Sequence, residues 1–498
     1  MAISTLSRHS ALAGRAVPHR PTSARRANAI DTNNIFVFGV GLLGVGALMA
    51  ITGLGVQNPF LSASGAGWVS VGILTTVVGF DRSRYPLLNP LLLWGLSLLF
   101  GSALRPLYLM TLPAQEQTEF LAGISSESVV QGSVLNVVFL VFGLVGYIGV
   151  RRRRNREGVI SPEYFNRSMW LFAAVTSVIG LVAFVLYLRA IGLGFSDLGD
   201  RLAAKRRVEI GGQLSSVGNL SWINAVPMFG GLLMLFLWSN GVAKSKYAYV
   251  FIGVSFVVGL AVPLINGSRD GLVQPLLLAI LVASDFGRRL NVRHLMTVLV
   301  VATVLVVVFG ALRDSGSNEL DAGSFDAVSV VDSLLGTHNW AGAEKTAIVA
   351  QRVPENLDHQ WGTTYATAVV APVPRSIWNE KPVVRIGPLV GEEIFLLDRD
   401  GRTGVPPGAP GELFLNFGLA GIPLGGLIFG ALAAATYKRF ERFAKSDFRR
   451  VIYAVLLVNI GLKFPGGDFA GVYTEMLMST LILTALSLVW RRASRVRH

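Results

Sequence analysis

The sequence predicts an all-α, polytopic membrane protein with about twelve transmembrane helices. One large extracytoplasmic loop domain is expected between helices 9 and 10. Three observations predict this. Apolar runs of about 20 residues, each able to cross a hydrocarbon core of about 30 Å, recur along the whole 498-residue chain. Hydrophobic residues make up 52% and charged residues 15%, against roughly 25% charged in an average soluble protein, and the mean hydropathy is +0.54. Lys and Arg alternate along the chain with the apolar runs. A soluble fold would have to bury all of this in one core, so the soluble domains that length alone suggests are excluded. Disorder is excluded by the same apolar content. The absence of cysteine removes disulfide scaffolds, thiol catalysis and cysteine–metal centres.

Residues 1–34 carry five Arg and no acid before Asp31. They lack the apolar stretch of a signal peptide, so a disordered cytoplasmic tail is expected. Membrane helices 1–9 fill 35–312, with spans at 35–56, 66–80, 87–108, 131–150, 168–190, 218–240, 247–266, 272–285 and 295–312. Helices 10–12 follow in 410–490, at 410–436, 449–464 and 474–490, and 491–498 is a basic cytoplasmic tail. The second and eighth spans are short and flanked by Gly or Ser, as broken helices beside binding sites often are.

The run Arg151–Arg154 after the fourth span marks the cytoplasmic side, because cytoplasmic loops collect Lys and Arg. Counting outward from it places both termini in the cytoplasm. The inside segments, with a residue or two of each flank, then hold 28 of the 44 Lys and Arg but only 7 of the 30 acids, a net of +21 that leaves −7 elsewhere. The overall charge of +14 therefore reflects topology, and nucleic acid is not an expected partner. Outside lie loops 109–130 and 191–217 and the large loop 313–409, in which short helices are expected at 325–350 and 361–370. A loop of that length is usually functional.

Several motifs fail on context. Gly39-x-Gly41-x-x-Gly44 matches a dinucleotide fingerprint but lies inside the first span with no strand before it; close helix packing by small residues explains it better. Asp398-Arg399-Asp400 has the form of a metal–nucleotide-sugar motif, but on the outer side a solvated loop is the better reading. No His, Asp and Glu set has zinc spacing, and neither a metal nor a cofactor is expected. His338 and His359 are the histidines of the large loop.

Other residues point to an anionic ligand. Asn266-Gly-Ser268-Arg269-Asp270-Gly271 joins two spans, and an Arg beside a helix N-terminus attracts phosphate through charge and free N–H groups. Arg105 lies within the third span, where a charge is costly and is usually functional or paired. Arg189, Arg201, Lys205, Arg206, Arg207, Arg313, Arg375 and Lys381 are all basic on the outside, against the topological bias. Together they suit a lipid pyrophosphate, with two phosphates at headgroup depth and a long chain in the bilayer. Glu412 and Asn416 share one helix face at i, i+4 at the start of the tenth span. The helix dipole favours a carboxylate there, and a carboxylate can also bind a sugar hydroxyl or act as a base.

These pieces resemble the O-antigen polymerase family, the repeat-unit polymerases of bacterial surface polysaccharides. The resemblance rests on the Gly267-Ser268-Arg269 turn, on the large outer loop and on the outer segment Gly194–Arg201. It rests most on the block from Pro372 to Gly421, with Pro-Arg375, Lys381-Pro382 and Gly411-Glu412-Leu-Phe-Leu-Asn416-Phe-Gly418-x-x-Gly421. It implies an enzyme of the bacterial cytoplasmic membrane that moves a growing glycan from polyprenyl pyrophosphate onto a lipid-linked oligosaccharide repeat unit at the outer face. Membrane lipid, a chain-length regulator and a flippase are its implied partners, and no metal is needed. In that scheme Arg269, Arg375 and Arg313 bind the pyrophosphate, Arg201 and Lys381 guide it in, Asn416 contacts substrate, and Asp270, Glu412 or His338 activates the attacking hydroxyl. An O-antigen ligase would use the same donor with another acceptor. A secondary transporter would be expected to show an internal repeat, and none is visible. A transferase using polyprenyl monophosphate sugars would be expected to place acids in the first outer loop, Gln57–Ser64, which has none.

Overall fold

The computed structural model describes residues 32–81, 85–152, 169–190, 222–241, 247–265, 269–285, 331–332, 334–336, 340–373, 377–378, 380–382, 386–397, 404–444 and 447–495. Within them the chain is helical and forms no strand. The helices are α1 (Thr32–Gly55), α2 (Pro59–Phe80), α3 (Pro90–Thr111), α4 (Ser128–Arg151), α5 (Met169–Ala190), α6 (Trp222–Ser239), α7 (Tyr247–Ile265), α8 (Arg269–Ala283), α9 (Ala343–Arg352), α10 (Thr363–Val370), α11 (Gly408–Arg442), α12 (Arg449–Val458) and α13 (Phe469–Arg495). Seven helices among the described residues, α1 to α4, α6, α11 and α13, are long and apolar enough to cross a membrane. The chain is accordingly a polytopic, all-helical membrane protein. The expected ninth span, 295–312, lies outside the described residues.

Local chemistry moves several expected boundaries. The second span is not short: it starts at Pro59, because the Asn58 side chain accepts from Leu61 N at 3.0 Å and caps the helix there. The third span carries a π-helical turn over Leu99–Leu104. Of the helix expected over 325–350, the described residues 331–332 and 334–335 are helical, and a separate helix starts at Ala343 after the extended Gly342. The one expected over 361–370 begins at Thr363, because Trp361 and Gly362 both have positive φ. The tenth span is also two pieces. Gly418, at φ 62° and ψ −154°, breaks α11 into an arm of residues 408–417 and a span of residues 419–442, about 36 Å long at 1.5 Å per residue. Only glycine adopts that backbone readily.

Besides smaller clusters beneath α9 and around Leu109, two large apolar cores hold most of the described helices. One joins α1–α4 to α11 through Leu74, Trp94, Phe139 and Phe429. The other joins α6, α7 and α8 to α12 and α13 through Phe229, Phe236, Leu281 and Val455. The contact between α1 and α2 explains the glycine motif only in part. Gly39, Gly46 and Gly53 recur every seven residues, and a Cβ on each would come within 2.6 Å of a backbone nitrogen of α2. Gly41 and Gly44 have open space around them. The packing reading holds for Gly39 alone, and the working period is the heptad. Small residues let helix backbones approach in a bilayer, where burial of apolar surface adds little.

Two sets of polar contacts include the ion pairs of α3, α4 and α11. At one end of the helices Arg151 pairs with both Asp81 and Glu441. The buried Arg450 guanidinium lies 4.3 Å from the Tyr85 ring centroid, 4.9 Å from that of Phe440 and 4.0 Å from Asp285 Oδ1. The other set gathers at the opposite ends of α4 and α11 and holds α9, α10 and the loop residues around them.

Candidate functional site

The second set begins with Arg105. It is fully buried and pairs with the fully buried Glu344 of α9, while its Nε donates to Leu335 O at 2.9 Å. One turn before it, Ser102 Oγ donates to Ala341 O at 2.6 Å, and one turn after it Tyr108 Oη donates to Asp332 Oδ1 at 2.5 Å. The charge flagged inside the third span is thus paired, and it clamps the segment before α9. Along α9, Thr346 Oγ1 donates to Asn136 Oδ1 at 2.8 Å and Gln351 Nε2 to Gln131 Oε1 at 3.0 Å. Lys345, also fully buried, donates to Gly466 O at 2.6 Å. Burial pushes the Lys345 ammonium down to about 7; Arg105 adds to the effect, and Glu344 and Asp468 oppose it.

Glu412 and Asn416 do share one face of the α11 arm, and both are buried. Glu412 Oε1 accepts from Thr364 Oγ1 at 2.8 Å, and Oε2 accepts from Phe469 N, the first residue of α13, at 2.7 Å. The dipole that favours this carboxylate is therefore that of α13 as well as its own helix. Asn416 accepts from Gly362 N at 2.9 Å through Oδ1, and its Nδ2 donates to Thr364 Oγ1 and to Glu412 O, both at 2.8 Å. The two side chains lock α10, α11 and α13 together. Tyr365 stacks on Phe417 with centroids 5.9 Å apart; burial, with the Glu412 charge adding to it, pushes its phenol well above the usual range and keeps it a neutral donor. His359 lies beside the arm, with Nδ1 3.2 Å from Leu415 O and its ring 5.9 Å from Trp361.

A small crevice opens between Trp94, Asn136, Ala341, Gly342, Thr346 and Pro465, with room for about one water. Glu344 Oε2 has no hydrogen-bond partner among the described residues. Buried carboxylates without full hydrogen bonding are costly, so this oxygen is an unsatisfied group of the cluster.

The expected site residues are placed unevenly. Arg201, Arg313, Arg375 and His338 lie outside the described residues, as does Asp398–Asp400. Arg269 and Asp270 open α8, but their side chains also lie outside. Lys381 Nζ donates to Ala371 O at 2.7 Å and Val373 O at 2.9 Å, closing the loop that follows α10. The structure brings Glu412 and Asn416 together and adds Thr364, Lys345, Glu344 and Asp468, which sequence reasoning missed. The adjacent charges Glu344-Lys345 in a segment of small residues were the available signal. Compared with family profiles, curated proteins and solved structures, the chain matches none.

Proposed function

We propose that this chain is an O-antigen-type polysaccharide polymerase with twelve spans, both termini in the cytoplasm and its large loop outside the bacterial cytoplasmic membrane. The observation that carries this reading is Arg269 at the first position of α8, four residues after α7 ends at Ile265. An Arg at that position, at a helix N-terminus and at the outer mouth of a helix pair, suits a pyrophosphate. The two separated polar sets support the topology: Arg151, Asp81 and Glu441 meet where the positive-inside rule places the cytoplasm, and α9 and α10 pack at the other end.

In the proposed reaction a sugar hydroxyl of the incoming repeat unit attacks the anomeric carbon of the donor glycan. The anomeric C–O bond to phosphate breaks, polyprenyl pyrophosphate leaves with the electron pair, and the hydroxyl proton passes to a base. Arg269, Arg313 and Arg375 stabilise the charge that grows on the leaving group. Both oxygens of Glu412 are already engaged, which supports a positioning role for it; Asp270 and His338 are the proposed bases. Lys381 and Asn416 hold the loop and the arm in place.

Replacing Arg269 by Ala in cells should abolish long-chain polysaccharide while single lipid-linked repeats accumulate. Arg269→Lys should restore little, since Lys keeps only a point charge. A normal ladder of chain lengths in the Ala variant would refute the role. Loss of glycan transfer to a different acceptor, with polymer length intact, would favour the ligase reading.

A further inference from the structure

We infer that the segment from Trp361 to Val370 lies in the outer headgroup layer of the bilayer and forms the lipid-facing wall over the Glu412–Thr364–Asn416 cluster. Residues 361–374, Trp-Gly-Thr-Thr-Tyr-Ala-Thr-Ala-Val-Val-Ala-Pro-Val-Pro, contain no charged residue. A water-facing loop segment of that length normally carries several, at roughly a quarter of residues. Yet Trp361 is 77% exposed and Val369 69%. The inner face of α10 is Thr364 and Ala368, both buried, and its outer face is Thr363, Ala366 and Val369, all exposed and uncharged.

This surface continues into the lipid-facing side of α11. Trp361 N donates to Asn416 O at 3.1 Å, so its backbone is anchored on the arm next to Phe417, itself 45% exposed. Leu419 is 66% exposed, and Leu424, Ile428 and Leu432 continue the exposed apolar face down the span. The backbone of Trp361 and Gly362 is held at φ 47° and 87°, and Gln360 N and Gly362 N are anchored on the arm at Leu415 O and Asn416 Oδ1. A left-handed conformation is costly for Trp, so the arm holds this side chain outward. Trp is enriched at the bilayer interface, where an apolar ring with one N–H donor is best solvated. The buried cluster beneath then sits at the depth of lipid phosphates, and a lipid-linked substrate approaches it sideways from the membrane. The placement does not depend on which reaction the protein performs.

The chain has no cysteine, so single-cysteine variants need no background changes. Trp361→Cys, Ala366→Cys and Val369→Cys would carry a nitroxide in the full chain, reconstituted in phosphatidylethanolamine/phosphatidylglycerol vesicles. Glu355→Cys, at an exposed polar position, is the aqueous control, and Ile428→Cys is the lipid control. The ratio of collision accessibility to oxygen over a water-soluble nickel chelate should be several-fold above that at Glu355 for all three labels, and below that at Ile428. Ratios equal to that at Glu355 would overturn the inference. Spin–spin broadening at 361 or 369 that vanishes on dilution with unlabelled protein would also overturn it, by assigning the surface to a second copy of the chain. Three positions are tested so that the 366 and 369 labels decide the matter if Trp361→Cys fails to fold.

Discussion

Arg105→Met is the most informative perturbation of the buried outer cluster. Arg105 and Glu344 are both fully buried, and each is the other's direct ion-pair partner. Removing the guanidinium leaves Glu344 Oε1 without its donor while Oε2 already has none among the described residues. Breaking a buried pair by deleting one partner costs about 3–5 kcal/mol, and losing the bond to Leu335 O adds about 1 kcal/mol. Lys345 changes the balance. Its positive charge attracts Glu344 and is repelled by Arg105. With Arg105 gone, Lys345 can hold its proton to higher pH and serve Glu344 as a reserve counter-ion. With Glu344 gone, Arg105 and Lys345 are left together as like charges. Glu344→Gln should therefore destabilise more than Arg105→Met, and the double variant should be more stable than the sum of the two losses predicts. Thermal unfolding followed by tryptophan fluorescence in nanodiscs, analysed as a double-mutant cycle, measures this. Additive losses, or single variants within about 0.5 kcal/mol of the parent chain, would refute the buried pair as a clamp.

Two further predictions follow from the same cluster. Asn416→Leu removes the acceptor of Gly362 N and the donor to Thr364 and Glu412; at about 1–3 kcal/mol for each buried group left unpaired, it should cost several kcal/mol and expose the 361–370 segment to protease, which limited proteolysis reads directly. Lys345 has a folded-state value of about 7, below its ordinary one of about 10.4. Folding therefore releases its proton in that window, so its destabilising contribution is full below about pH 7 and is relieved as pH rises toward 10; Lys345→Met should flatten this rise in unfolding midpoints, and an unchanged slope would exclude Lys345 as its source.

Much of the architecture is legible in the apolar runs and in the sorting of Lys and Arg, because lipid imposes both on any chain that crosses it. The i, i+4 relation of Glu412 and Asn416 is equally legible, being local to one helix. Their partners are not: Thr364 and Phe469 are 48 and 57 residues from Glu412, and nothing in a spacing pattern links them. The Arg105–Glu344 pair spans 239 residues; a charge within a span announces a partner but not which one. The break at Gly418 is hidden because Gly418, Gly421, Gly425 and Gly426 crowd one apolar run, and only the backbone angle distinguishes the residue that turns the chain from those that let helices touch.

The central claim is tested most directly with the purified full-length chain in vesicles and a polyprenyl-pyrophosphate-linked oligosaccharide as the sole substrate. The account predicts a ladder of lengthening lipid-linked glycans, with one polyprenyl pyrophosphate released for each repeat added and both lost in Arg269→Ala. Substrate that crosses the bilayer unchanged, or that stays a single repeat in the presence of folded protein, would contradict it.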